Sequence, residues 1–289
     1  MREFLGNLQH IDRRWVYLFV FVACTLPFIV TIRLPLYVSP ETKGVYDMIE
    51  KCPPGKVVVI DSSWDAGSMG ENQGQVEVVF DHLFRRNIPF IVTAQGFVPT
   101  APQFSEKIIE KLVRTKYPHK KYGVDWVNLG VTMGLDWQIM QQMAKDITKQ
   151  FPKDYKQTPV EKLPLMQRFL NKEKSSIEYI HMIHAVTYSP SENWLAFIHG
   201  QYGTPISFGC AGIQSTTYYR YISSKQLCGM LVGIRGAAEY DALLNKSPEK
   251  RWTLGTKLIV PLSFGYLIII FAIIVGNVGF IASGRGKRR

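Results

Sequence analysis

The residues best placed to do chemistry follow an apolar run. The segment Lys56–Ser63, KVVVIDSS, closes on Asp61, Ser62 and Ser63, and Asp65 stands in the Gly-bearing loop beyond it. A carboxylate and two hydroxyls after a continuous apolar stretch are what the carboxyl end of a buried strand presents. In open α/β sheets ligands bind outside those ends. Gln95 follows a second such run, and Gly209, Cys210, Gly212 and Gln214 follow a later one. These nine residues form the candidate ligand site.

The loop after Asp65 offers Gly67, Gly70 and Gly74 ahead of a helical pattern, so its amides could cradle an anion at a helix start. It lacks the Lys-Ser/Thr ending of a nucleotide P-loop and the order of a dinucleotide fingerprint. Asp61, Asp65 and Glu71 would repel phosphate unless a divalent cation were bound. Asp61 and Asp65 invite comparison with the haloacid-dehalogenase-type phosphotransferases, but that motif sets its aspartates two apart, where Ser63 stands here. His181 and His184, three apart on a strand, face opposite sides and cannot share an ion. Cys210 occupies a nucleophile-like position without an assignable base, and the reading of it as a buried thiol is preferred. Neither a cofactor nor a metal is expected.

These residues need a sheet to position them. Strand patterns fall at 56–63, 88–94, 126–131, 177–186 and 204–212. Between them, Val76, Val79, Phe80, Leu83 and Phe84 make one amphipathic helix stripe; Phe104, Ile108, Ile109 and Leu112 make a second; Ile139, Met140, Met143 and Ile147 make a third. Thr100 and Gln103 have capping-box spacing. Ser191 opens a further helix containing Trp194, Leu195 and Ile198, and residues 152–174 form a Pro- and Lys-bearing connector read as an insertion or lid. The alternation predicts an α/β fold, a doubly wound, mostly parallel sheet of Rossmann-like or flavodoxin-like kind. A final helix is expected over 225–244, with Gly229, Gly233, Gly236 and Ala237 on one side. That small-residue face packs on the sheet or contacts another protomer or partner.

Apolar residues crowd toward both ends of the 289-residue chain. Trp15 to Ile32 carries no charge, and Leu258 to Ser283 is a longer uncharged run; about 20 such residues span a bilayer core. The expected order is a cytoplasmic segment at 1–14, a transmembrane helix at 15–37, an extramembrane α/β domain at 38–256, a transmembrane helix at 257–284 and a basic cytoplasmic tail at 285–289. A cleaved secretory signal competes for the first run. However, the run exceeds the usual signal core of about 7–15 residues, and Leu34, Pro35, Leu36 and Tyr37 stand where a small-x-small cleavage site belongs.

Arg2, Arg13, Arg14, Arg285, Lys287, Arg288 and Arg289 flank the spans on the terminal side. Arg33, Lys43, Lys246, Lys250, Arg251 and Lys257 flank them on the domain side. The compact RGKRR tail and the Arg pair before the first span place both termini in the cytoplasm of the cell (inner) membrane and the domain outside it. Net charge is +11, but residues 34–256 hold 25 Lys+Arg against 21 Asp+Glu. A nucleic-acid partner is therefore not expected. Of Cys52, Cys210 and Cys228, one pair could be bridged in an oxidising compartment, while Cys24 lies in the first span.

The segments YGTPISFGCAGIQSTTYY and GMLVGIRGAAEYDALL resemble a group of uncharacterised two-span membrane proteins of prokaryotes. The resemblance implies an anchor, an α/β domain and a second anchor, with no established activity. The reading that follows is a non-catalytic, membrane-tethered domain serving as subunit or scaffold of a membrane complex. Its partners are the bilayer and either further copies or other subunits, and a small ligand sits at the sheet's carboxyl edge. A hydrolase or transferase of the cell envelope is the first alternative. An oligomeric transport component, with Asn277 as the polar residue of the second span, is the second.

Overall fold

The computed structural model describes residues 12–30, 35–96, 98–171 and 173–282. Residues 1–11, positions 31–34 of the expected first span and the basic tail at 285–289 lie outside the described residues. The chain divides into two compact units, Met1–Pro35 with Lys257–Arg289, and Leu36–Thr256.

In the larger unit a six-stranded, wholly parallel sheet carries helices on both faces. In chain order its elements are α2 (Pro40–Glu50), β1 (Val57–Ser62), α3 (Met69–Arg85), β2 (Phe90–Gln95), α4 (Ala101–Thr115), β3 (Trp126–Thr132), α5 (Asp136–Gln150), β4 (Ile180–Val186), β5 (Ile206–Cys210), α6 (Ser215–Ser223), β6 (Leu227–Val232) and α7 (Gly233–Leu244). Strands run β3-β2-β1-β4-β5-β6. That is the doubly wound order in which the winding reverses between the first and fourth strands, and not the flavodoxin-like order.

Burial on both faces explains why the strands read as unbroken apolar runs. All six residues of β1 and of β2 are buried. One core packs Val58, Ile60, Phe90 and Val92 against Val79, Phe80 and Leu83 of α3 and Ile109 of α4. The other packs Val59, Ile91 and Val127 against Met140, Met143 and Ile147 of α5. Each such side chain stabilises the fold by about 1.5–3 kcal/mol relative to exposure. The 152–174 connector contributes to this second core: Val160, Leu163, Leu165, Met166 and Phe169 are buried in it.

Two segments differ from the sequence reading. Residues 227–232, expected as helix, form β6, and only Gly233 onward is helical. The cause is a close approach. A Cβ on Gly229 would stand 2.3 Å from the Val45 nitrogen, and one on Gly44 2.3 Å from the Cys228 carbonyl oxygen. These two glycines let α2 lie directly on β6. The polar stretch SPETKG forms the start of α2: Ser39 caps it by accepting from the Thr42 amide at 3.4 Å, and Pro40 occupies its first position. Thr100 precedes α4 without a side-chain cap, so the capping-box spacing there goes unused.

In the smaller unit lie α1 (Arg13–Ile29) and all but the first turn of α8 (Leu254–Ala282). The stretch Leu254–Ile281 is long and apolar enough to cross a membrane. Helix α1 is apolar but shorter, with 17 residues. The two approach closely, since a Cβ on Gly265 would lie 3.6 Å from Cys24 Sγ. Asn277 donates from Nδ2 to its own helix, at the Ile273 carbonyl 2.8 Å away.

Candidate functional site

The switch in winding between β1 and β4 puts Asp61, Ser62 and Ser63 at the topologically favoured position for a ligand, but the three do not face one way. Alternation along β1 turns Asp61 toward α5 and Ser62 toward α3 and α4. Ser62 Oγ accepts from Trp64 Nε1 and Ser105 Oγ, each at 2.8 Å, in an internal tie of the α4 face.

Asp61 centres a buried polar cluster on the opposite face. It accepts a hydrogen bond from Ser63 Oγ at 2.7 Å and another from the Trp194 indole. Ser63 Oγ in turn accepts from the Gln95 amide at 2.8 Å, and Gln95 Nε2 stands 4.0 Å from Met143 Sδ. Thr93 is the register partner of Asp61 on β2, and its buried Oγ1 has no hydrogen-bond partner among the described residues. Burial pushes the Asp61 carboxyl up to about 7, against the opposing pull of Ser63 and Trp194. The structure thus joins Asp61, Ser63 and Gln95 of the expected site and adds Thr93, Trp194 and Met143.

The second half of the expected site is bound up differently. Gln75 of α3 donates from Nε2 to the carbonyls of Cys210, Leu231 and Gly233 at 3.0, 3.3 and 3.1 Å, clamping β5 to β6. Gly209 is required beneath it, because a Cβ there would stand 2.5 Å from Gln75 Oε1. Glu71 Oε2 accepts the Gly212 amide at 2.6 Å. The space where a doubly wound fold would take an anion at the start of its first helix therefore holds a carboxylate of the chain itself. Asn72 donates to Gln75 Oε1 and to the Thr187 carbonyl, both at 3.2 Å. Asp65 is exposed and accepts from the Ser68 amide at 3.1 Å, a local turn apart from both clusters. Gln214 sits at the start of α6, its amide bonded to the Ala211 carbonyl at 3.0 Å.

Two further groups lose their reactive forms to burial. Burial raises the Cys210 thiol to about 12, with the Glu71 charge adding to the effect, so it stays protonated and is no nucleophile near neutrality. Burial lowers His184 to about 3, leaving a neutral imidazole whose Nδ1 pairs with Ser207 Oγ at 2.8 Å. His181 pairs separately with the Met48 carbonyl at 2.9 Å. Among the described residues no three His, Cys, Asp or Glu side chains gather closely enough to hold a metal ion. All four cysteines are free thiols.

Clefts open elsewhere. One of about 340 Å³ lies at the carboxyl end of β3 between Pro102, Thr132 and Tyr155, and one of about 270 Å³ lies between α3 and α4 beside Trp64 and Phe104. Neither is lined by Asp61, Thr93 or Gln95. The small residues of the expected contact face are used within the chain. Gly229 meets α2, Gly236 packs on Leu231, Ala237 packs on Gly74 and Gly255, and Gly233 turns with φ +51° beside Glu71.

Gln75 and Thr93 are not among the site residues read from the sequence, and Glu71 is read there only as a charge that would repel phosphate. Gln75 and Glu71 act across the sheet on residues far away along the chain. No protein-family model, curated protein or solved structure matches the chain.

Proposed function

We propose that this chain is a membrane-anchored, non-catalytic subunit or scaffold, a Rossmann-type domain tethered by apolar helices at both ends. One observation carries the reading: most polar groups at the sheet's carboxyl edge, Thr93 Oγ1 and Asn72 Oδ1 apart, are spent on internal bonds. Gln75, Glu71, Ser62 and Asp65 each serve a local or cross-strand tie, and Cys210 is held as a buried thiol. The α8 helix supplies the anchor. Isolation from native membranes without overexpression tests the proposal. A defined homo-oligomer or a stoichiometric partner is expected, and a strictly monomeric chain with no companion overturns it.

The favoured topology has two spans, cytoplasmic termini and an extracytoplasmic domain. Single cysteines at Lys174 and Ser283, exposed to an impermeant thiol reagent on intact cells, give labelling at 174 alone. Labelling at 283 alone reverses the orientation.

Asp61 favours a second reading, an envelope hydrolase or transferase. A carboxyl raised to about 7 by burial is suited to proton transfer near neutrality. Under this reading Asp61→Asn abolishes a turnover that the wild-type membranes support, whereas under the scaffold reading the variant assembles normally.

A further inference from the structure

The domain is attached at one side. Ser39 donates through its amide and Oγ to Glu239 Oε2 at 3.0 and 2.6 Å. From there α2 descends past Gly229 of β6 toward Met48, whose carbonyl meets His181 at the amino end of the sheet. The chain therefore enters from the carboxyl side. It leaves on the same side: a Cβ on Gly255 would stand 2.5 Å from that of Ala237 and 3.0 Å from the Ile234 carbonyl oxygen, in the first turns of α7. Helix α7 begins where β6 ends, at the carboxyl edge.

That edge carries exposed apolar side chains. Met133 is 72% exposed and Ile213 75%, and Leu135, Trp137 and Tyr188 are open as well. The loops that bear them are joined. Asp136 Oδ2 accepts from Ser191 Oγ at 2.6 Å and Asn193 Nδ2 at 2.9 Å, the Ala211 amide donates to the Tyr188 carbonyl at 3.1 Å, and Trp137 lies against Phe197 with ring centroids 5.9 Å apart. No Lys or Arg occurs in the edge segments 63–68, 96–100, 133–135, 187–194 and 211–214.

We infer that the carboxyl edge of the sheet rests on the lipid surface, with Met133, Leu135, Trp137, Tyr188 and Ile213 reaching into the interfacial zone. The inference depends on the membrane-anchored reading and deepens it. Both segments that lead to the apolar helices leave the larger unit from this side. Contiguous exposed apolar groups mark interaction surfaces, and Trp and Tyr favour the headgroup level. Asp65, Asp136 and Glu192 stand in or beside the same loops, and the nearby cations are paired, Arg220 with Glu192 at 2.8 Å and Arg235 with Glu239 at 2.5 Å, so attraction to anionic headgroups contributes little. The contact is apolar and insensitive to salt.

The test uses the full chain in nanodiscs of zwitterionic lipid, with nitroxide side chains placed singly at Met133, Ile213 and, on the amino edge, Glu178. Power saturation against oxygen and a nickel chelate reads depth. The expected oxygen-to-nickel accessibility ratio is several-fold higher at 133 and 213 than at 178, and 0.5 M salt leaves it unchanged. Equal ratios at all three sites overturn the inference, as does protection at 133 and 213 from both quenchers, which signifies a covering protein. Carbonate extraction of native membranes separates the two levels: release of the chain rejects the anchored reading itself, while retention with equal ratios rejects only the docking.

Discussion

The two edges of the sheet are built on opposite principles. At the amino edge the turns before successive strands carry Lys51, Lys56, Arg86, Lys121, Lys174 and Lys225. Where a cation there is buried it is paired, as in Lys120 with Asp125 Oδ1 at 2.9 Å and Asn87 Oδ1 at 2.7 Å. At the carboxyl edge the segments 63–68, 96–100, 133–135, 187–194 and 211–214 hold no cation, Gln75 and Glu71 are turned inward on backbone groups, and apolar groups remain outside. The difference teaches where solvent is meant to be. Hydrated lysines suit water, whereas an edge with most of its hydrogen bonds satisfied internally loses little on being covered.

This contrast can be broken or sharpened by substitution. The largest effect is expected at Asp241, which lies fully buried and collects the Trp252 and Thr253 amides at 3.0 and 3.1 Å and the Thr253 and Thr256 hydroxyls at 2.9 and 2.8 Å. Asp241→Ala strands these donors at the point where the chain leaves the domain. It should cost about 4 kcal/mol or more, read as a collapse in the melting temperature of the detergent-solubilised chain. A loss under 1 kcal/mol would show that this attachment is dispensable.

Next comes Asp61. Its folded value of about 7 lies above the 3.8 of a free side chain, so the folded state holds a proton that the unfolded chain releases. That contribution is fully present below about pH 4, is lost as pH rises toward 7, and is constant above; at 1.36 kcal/mol per unit it totals about 4 kcal/mol. Denaturant unfolding of wild type and Asp61→Asn at pH 5 and pH 8 should show the variant gaining relative stability at the higher pH. A difference independent of pH would mean that Asp61 does not titrate in this range.

Glu71→Gln keeps an acceptor for the Gly212 amide but removes its charge, and a loss of about 1 kcal/mol is expected in the same assay. At the amino edge, Lys121→Glu and Lys174→Glu should change stability by less than about 0.5 kcal/mol. Effects there as large as those at Glu71 would erase the distinction between the edges.

Much of this was legible in the sequence. The apolar runs located five of the six strands, and the helix stripes at Val76–Phe84, Phe104–Leu112 and Ile139–Ile147 match α3, α4 and α5. The sixth strand was hidden because LCGMLV is a short apolar run, which fits a buried helix as well as a strand. Its glycine serves the backbone of α2 at Glu41 and Val45, far earlier in the chain. Site residues were legible in position and not in direction. Strand ends pointed to Asp61, Ser62 and Ser63, yet only a register assigns Asp61 to the Thr93 side and Ser62 to Ser105. Gln75 reads as an ordinary polar residue of a helix start and Glu71 as a charge facing a ligand, because nothing local signals the carbonyls and amide they meet across the sheet.

The carboxylates Glu239 and Asp241 stand two positions apart on α7, one holding Ser39 and the other Thr253 and Thr256. Tension applied between the two ends of the domain consequently follows a short load path: from one tether through a carboxylate, across a single helix turn, and out through the next. The parallel strands lie off that path. Both ends of the domain are thus clasped by neighbouring carboxylates of one helix, and the sheet's ladder of hydrogen bonds takes no part in either clasp.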